Sequence, residues 1–257
     1  MESRRKIAVT GATGRVGRHI VDVLEGAGHD VVPISRSNGV DVITKEGLRD
    51  ALDGVESVID AATWPTPEEK PATEFFTTSA RNLQTLGERV SVQRIVVVSI
   101  IGVERFTGGY SAAKLAHERT MLAGPIPVSI LRAAQFHEFV TQIVDWGRQG
   151  DVSYVPKMRT QLVAARTVAE ALAELATAPE AEPNGSPMSE IAGPREERLV
   201  EKARLLAARD GDPAQIEEVV NEADPDHDLY ASGALLPGPD AQLAGPTFDE
   251  WLKRDAA

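Results

Sequence analysis

The sequence predicts an α/β fold, a doubly wound parallel sheet covered by helices on both faces, with a smaller part after it. Three observations carry this reading. Apolar, β-branched runs alternate with stretches of helical periodicity through the first half of the chain. The first run ends in a glycine-rich turn that opens a helix. The most apolar run, Ile95 to Val98, is as short and unbroken as a strand buried on both faces requires.

The elements follow in order. Lys6 to Thr10 is a strand. Val16, Ile20, Val23 and Leu24 recur at helical spacing, so a helix runs from about Arg15 to Glu25, and Gly26 and Gly28 stop it. Asp30 to Ser35 is a second strand, and Val40 to Ile43 is expected to add a short third. Helices are predicted over Glu46 to Leu52, Thr73 to Glu88 and Tyr110 to Ala123. Strands are predicted over Val55 to Ala61, Arg94 to Ser99 and Val128 to Arg132. Right-handed crossovers leave few ways to connect them.

The second half is less regular. It is expected to hold a helix over Arg166 to Thr177, a loop over Ala178 to Pro187 and a strand over Ser189 to Ala192. A charged helix is expected over Glu196 to Arg209, then a Gly/Pro/Asp-rich surface tail over Ala223 to Thr247. Phe248, Trp251 and Leu252 suit a last helix pinned onto the body. The expected organisation is a single domain, with a nucleotide-binding core over 5–135 and a smaller substrate-side segment over 136–257.

Composition narrows the function. With 257 residues the chain can bury one sizeable core. A net charge of -12 disfavours nucleic acid and anionic membrane surfaces as partners. The absence of cysteine removes disulfides and thiolate metal sites. Neither a signal peptide nor a membrane span is read, so the expected compartment is the cytoplasm. The histidines show no metal-ligand spacing, and no metal is expected.

The glycine turn points to chemistry. It reads Thr10-Gly11-Ala12-Thr13-Gly14-Arg15-Val16-Gly17. Gly11 suits the sharp exit from the strand, Gly14 a close approach of backbone to a pyrophosphate, and Gly17 close packing of helix on sheet. The helix N-terminus offers N–H groups and a positive dipole end to phosphate. A strand before and a helix after give the motif its required context, so the first half is read as a Rossmann-type dinucleotide-binding domain.

The second strand ends in Ser35-Arg36-Ser37 rather than in the acid that commonly binds the ribose of NAD. Arg36 with Ser37 suits a 2′-phosphate, so NADP(H) is expected over NAD(H). Asp41 and Val42 are either adenine contacts or turn residues. Ala61, Ala62 and Thr63 end the next strand, and are either small residues that leave room for the dinucleotide or ordinary packing residues.

Tyr110-Ser111-Ala112-Ala113-Lys114 carries the Tyr-x-x-x-Lys spacing, with Ser99 at the end of the preceding strand. Together with the glycine turn and Arg132-Ala133-Ala134-Gln135-Phe136, these residues resemble the atypical, NmrA-like branch of the short-chain dehydrogenase/reductases, over roughly residues 5–140. Tyr110 and Lys114 are four apart and share a helix face. A nearby ammonium stabilises a phenolate, so Tyr110 is the expected proton donor or acceptor and Lys114 its electrostatic helper. Lys114 is also expected to hold the nicotinamide ribose, and Ser99 to orient the substrate oxygen. The resemblance further implies that Gln135 and Phe136 lie beside the nicotinamide. Trp64, Phe106, His137 and Phe139 would join them along the substrate.

The first expected function is hydride transfer between NADP(H) and a small carbonyl, quinone or enone. Two alternatives stay open, a non-catalytic NADP(H)-binding redox sensor and an epimerase or dehydratase of nucleotide sugars. The short C-terminal part weighs against the last of these. The expected partner is a small-molecule substrate, with the protein a monomer or a homodimer.

Overall fold

The computed structural model describes residues 4–179 and 187–254. They form two compact units. One takes the chain up to Ser99, Gly109–Arg132 and Val168–Ser189; the other takes Ile100–Gly108, Ala133–Thr167 and the chain from Glu190 on.

The first unit is built on the predicted alternation. Its elements are β1 (Lys6–Thr10), α1 (Gly17–Gly26), β2 (Asp30–Ile34), α2 (Leu48–Leu52), β3 (Ser57–Asp60), α3 (Glu69–Arg89), β4 (Arg94–Ile100), α4 (Gly109–Leu122) and β5 (Val128–Ala133). The strand order is β5-β4-β3-β1-β2. β1 runs parallel to both β2 and β3, and β3 is parallel to β4. Strands flanked on both sides and covered on both faces are buried along their whole length, and every residue of β3 is buried, Ser57 and Asp60 included. The core joins Ala8, Ile34, Leu48, Leu52, Val58, Leu83, Ile95 and Val97 with Met121 and Ile130. At roughly 25 cal/mol per Å2 of apolar surface removed from water, such a cluster is the main force holding the unit together.

Two expectations change here. Val40 to Ile43 is no strand, because the Asp41 carboxylate accepts the N–H groups of Ile43 at 2.6 Å and Thr44 at 3.1 Å and folds the segment into a turn. α3 begins at Glu69, ahead of the expected Thr73. Pro71 falls within its first turn, where N–H groups have no intrahelical partner and a missing one costs nothing.

The second unit holds elements that the sequence pattern announced, among them the helix expected over Arg166 to Thr177, and others that it did not. They are α5 (His137–Trp146), β6 (Arg148–Gln149), β7 (Val152–Pro156), β8 (Arg159–Thr160) and α6 (Ala165–Thr177), of which only the first residues belong here. After β9 (Met188–Ala192) come β10 (Glu197–Arg198), α7 (Leu199–Asp210), β11 (Gln215–Val219), α8 (His227–Ser232), β12 (Gln242–Leu243) and α9 (Phe248–Arg254). β6, β7 and β11 form a small sheet, antiparallel between β6 and β7 and parallel between β7 and β11.

The charged helix starts at Leu199, because Glu197 and Arg198 first pair with β8. The tail over Ala223 to Thr247 is no mere surface strand. Ala234 and Leu235 are buried, and the Asp226 carboxylate accepts the N–H groups of Thr107 and Gly108. Phe248 is fully buried and packs on Trp251, as the expected last helix requires. Of the expected loop over Ala178 to Pro187, residues 180–186 lie outside the described residues.

Candidate functional site

In an order β5-β4-β3-β1-β2 the chain winds outward in both directions from the junction of β1 and β3. Ligands of doubly wound sheets bind outside the carboxyl ends of the strands at such a junction. The segments leaving β1 and β3 are the glycine turn and Ala61-Ala62-Thr63.

The turn is shaped by contacts that tolerate no side chain. Gly11 has φ +62° and a Cβ there would sit 2.6 Å from the Ala61 carbonyl oxygen. A Cβ on Gly17 would sit 2.0 Å from the Gly11 carbonyl oxygen, so only glycine lets α1 start this close to β1. At Gly14 the added Cβ would meet only the Gly11 oxygen, at 3.0 Å, so the outer side of the turn is open. Thr13 and Arg15 are exposed on it, and Val16 is buried beneath. No side chain caps the N-terminus of α1. An open glycine backbone next to an uncapped helix start fits the pyrophosphate of a dinucleotide.

Tyr110 and Lys114 lie on α4 as their spacing predicts. The Tyr110 hydroxyl is 2.7 Å from Thr63 Oγ1, which brings the end of β3 and the start of α4 together. Burial pushes the phenol above its usual range, and the bond to Thr63 only partly opposes this. The expected lowering by Lys114 is absent, because the ammonium is engaged elsewhere. Lys114 Nζ donates to the Val98 carbonyl at 2.9 Å, lies 3.2 Å from His117 Nδ1 and sits 4.6 Å from the centre of the Phe76 ring. Burial brings its pKa down to about 8 against the pull of Asp60 and Glu118.

Ser99 is buried at the end of β4, and its Oγ has no hydrogen-bond partner. Arg36 and Ser37 are exposed on the short 3-10 turn after β2, where the Ser37 hydroxyl pairs with that of Ser35 at 2.8 Å. Val42 packs at the edge of the core, and its carbonyl accepts from Asn82. Trp64 and Phe75 pack beside Phe76, Ala113 and Tyr110.

The remaining predicted residues belong to the second unit. Gln135 accepts from Thr160 Oγ1 at 2.6 Å, and Phe136 bridges to Val163. His137 is held among Phe248 and Trp251, and its Nε2 bonds the Pro246 carbonyl. Burial brings its pKa down to about 4. Phe106 and Phe139 pack in that unit's core.

Sequence reasoning missed the polar interior of the first unit. Asp60, His117, Glu118 and Arg132 are all buried. Glu118 and Arg132 form a two-pronged ion pair at 3.0 and 2.7 Å. His117 Nε2 lies 2.9 Å from Asp60 Oδ2. One signal was available, since an aspartate inside an apolar strand such as Ser-Val-Ile-Asp needs a buried partner.

Comparison with known proteins places the first unit beside one family. Residues 7–124 match the NAD dependent epimerase/dehydratase family. That match covers less than half of the chain, and it does not single out the NmrA-like branch. No curated protein sequence matches the chain.

Among solved structures, MoeE5 in complex with UDP-glucose and NAD is 19% identical at a TM-score of 0.69, over 98% of this chain and 100% of that one. The dTDP-4-dehydrorhamnose reductase of Bacillus anthracis, in complex with NADP, is 15% identical at a TM-score of 0.69, over 98% of each chain. The Bordetella bronchiseptica enzyme WbmH, in complex with NAD+, is 17% identical at a TM-score of 0.63, over 84% of this chain and 86% of that one.

These likenesses establish the fold, an α/β Rossmann-type parallel sheet with a C-terminal extension of helices and strands. They also correct the expected cofactor. Most of these neighbours that name a dinucleotide name NAD, and the preference for NADP is withdrawn. Its physical basis was weak as well, since Arg36 is a solvated surface cation and the neighbouring hydroxyls satisfy each other. Among the described residues no helix is long and apolar enough to cross a membrane, and no cluster of His, Asp and Glu is placed to hold a metal.

Proposed function

We propose that the chain is an NAD-dependent enzyme of the epimerase/dehydratase or related oxidoreductase kind, acting on a sugar nucleotide. One observation carries the proposal. The Tyr110 hydroxyl meets Thr63 at the end of β3, in the same unit as the open glycine turn after β1. A proton-transfer group is thereby put at the strand ends where a dinucleotide binds. The epimerase/dehydratase alternative thus replaces reduction of a small carbonyl, quinone or enone as the leading reading. The short C-terminal part is no objection, since a chain covered over 100% of its length by this one is known with UDP-glucose bound.

Gly11, Thr13, Gly14, Arg15, Val16 and Gly17 would hold the pyrophosphate, with Ala61, Ala62 and Thr63 beside the dinucleotide. When bound, NAD supplies the two-electron exchange with a substrate carbon. Tyr110 takes or gives the proton of the substrate hydroxyl, with Thr63 as its first hydrogen-bond partner. Lys114 supplies the positive charge that favours the phenolate, through the one N–H that Val98 and His117 leave to it. Ser99 contributes a hydroxyl whose bond is unmade in the free chain, and so is available to orient a substrate oxygen.

A second reading is a dinucleotide-binding regulator without turnover. One observation favours it, namely that Lys114 is turned to Val98 and His117 while burial raises the Tyr110 pKa. A single experiment separates the two. The protein is incubated with NAD and a panel of UDP- and dTDP-sugars, and the sugars are followed by NMR. A changed sugar that disappears with Tyr110→Phe supports the enzyme. Stabilisation by NAD with every sugar unchanged supports the regulator, and no stabilisation by NAD overturns both.

A further inference from the structure

We propose that Asp60 and His117 are positioning residues for Lys114, a buried carboxylate–imidazole–ammonium chain that fixes where the ammonium sits and keeps it charged. The proposal rests on the reading of Tyr110 and Lys114 as the working pair of the site, and it assigns residues that neither the sequence motif nor the family match names.

The chain is read atom by atom. Asp60 ends β3 with its carboxylate fully enclosed. One oxygen accepts from the Thr10 hydroxyl and from the N–H of Ala62 at 3.2 Å. The other lies 2.9 Å from His117 Nε2. Against the cost of burial, the hydrogen bonds from His117 and Thr10 and the charge of Lys114 hold Asp60 below the usual carboxylate range. It is therefore a carboxylate, and a carboxylate only accepts. His117 Nε2 must carry the hydrogen. Burial and the charge of Lys114 keep the imidazole below its usual pKa, so Nδ1 has no proton and presents a lone pair. That lone pair faces Lys114 Nζ at 3.2 Å. The ammonium is the donor there, as it is to Val98 O, and one of its three N–H groups remains for Tyr110 or a cofactor hydroxyl.

Apart from the Val98 carbonyl, the surroundings of the ammonium are apolar or already committed. Phe76 of α3 stacks on His117 at 5.0 Å, meets Tyr110 edge-on at 5.6 Å and lies under Lys114 Nζ. From β5, Arg132 faces Glu118 and neutralises it, so the near carboxylate of α4 is already committed. Thr10 of β1 adds only a hydroxyl. From α3, Glu69 bonds the Gly109 N–H at the exposed start of α4. Asp60 is thus the balancing charge for Lys114, and His117 transmits it through a fixed tautomer, as a second layer of partners orients a working group. Lysine in an apolar site without such a partner loses its charge.

The test uses the full chain. Nitrogen-15 NMR of histidine-labelled protein without cofactor reads His117 directly. The expected signal is a neutral Nε2–H imidazole that does not titrate across pH ~6–9. An Nδ1–H tautomer, or an ordinary titration in that range, overturns the proposal. The second measurement is the pH dependence of NAD binding. Asp60→Asn and His117→Leu should move its basic limb to lower pH by about one unit, while His117→Gln, which can accept from Lys114 and donate to Asp60, should hold it near wild type. Unmoved limbs in both Asp60→Asn and His117→Leu overturn the proposal. If either variant fails to fold, the tautomer of the wild type decides alone. Failure of the wild type to bind NAD would instead refute the proposed function and leave the NMR result standing.

Discussion

Replacing Lys114 by methionine should make the protein more stable at neutral pH and remove its function. The pKa of Lys114 falls from 10.5 to about 8 on folding, which sets about 3 kcal/mol against the charged form, with the attraction of Asp60 already included. Methionine is of similar length and carries no charge. It loses the hydrogen bonds to Val98 and His117, worth about 1 kcal/mol each, so the expected gain at pH ~7 is about 1 kcal/mol. The pH dependence fixes the sign. Below about 8 the lysine is charged in both states and the full penalty applies. Between about 8 and 10.5 the native state has shed its proton while the unfolded chain keeps it, so wild-type stability rises with pH from this group. Above 10.5 the penalty is gone. The advantage of Lys114→Met should therefore shrink as pH rises from ~7 to ~10, as read by paired urea unfolding curves. The phenols of Tyr110 and Tyr230 titrate late in both proteins and cancel in the difference. A variant less stable than wild type at neutral pH, or a gap independent of pH, would refute the reasoning.

Three further outcomes follow from the same geometry. Gly17→Ala drives a Cβ to 2.0 Å from the Gly11 carbonyl and should cost about 1–3 kcal/mol of stability together with NAD binding, checked by thermal melts with and without NAD. Glu118→Ala leaves the Arg132 guanidinium without its buried carboxylate and should cost about 3–5 kcal/mol in chemical denaturation, whereas replacing both partners with apolar residues should recover most of that loss. Tyr110→Phe deletes a single hydroxyl bonded to Thr63, so stability should fall by only about 0.5–1.5 kcal/mol and NAD binding should persist, while any conversion of a sugar nucleotide drops to background in the NMR assay.

The polar interior of the first unit helps explain how one helix carries both stability and chemistry. α4 buries Ala113, Lys114, His117, Glu118 and Met121 on the face towards the sheet. Three of these five can carry charge, so α4 is not a plain amphipathic helix. Each has a partner on a different strand or loop: Val98 and Asp60 for the Lys114–His117 pair, and Arg132 for Glu118. Removing one member leaves the others unsatisfied in a low-dielectric setting, so the network specifies the register of α4 against β3, β4 and β5 as well as placing Tyr110.

By itself the sequence determined what depends on neighbours along the chain. The alternation of apolar runs and helical periods gave β1 to β5 and the helices between them. The three-residue glycine spacing gave the turn, and the four-residue spacing put Tyr110 and Lys114 on one face. These are properties of local geometry, set by the periods of strand and helix. In the second unit α7 and α9 were legible, whereas β6, β8, β10 and β12 have two residues each, too short for any period to show. The third strand expected at Val40 to Ile43 failed because one carboxylate folded the backbone into a turn, a competition that periodicity does not register. The working environment of Lys114 was decided only in three dimensions. Asp60 and His117 are 57 residues apart, and they meet because a parallel sheet sets the end of β3 beneath α4. That contact, rather than the motif, sends the ammonium to Val98 and His117 and leaves Tyr110 with Thr63. A pKa answers to burial and to the charges within a few ångströms, and tertiary folding alone brings those charges together.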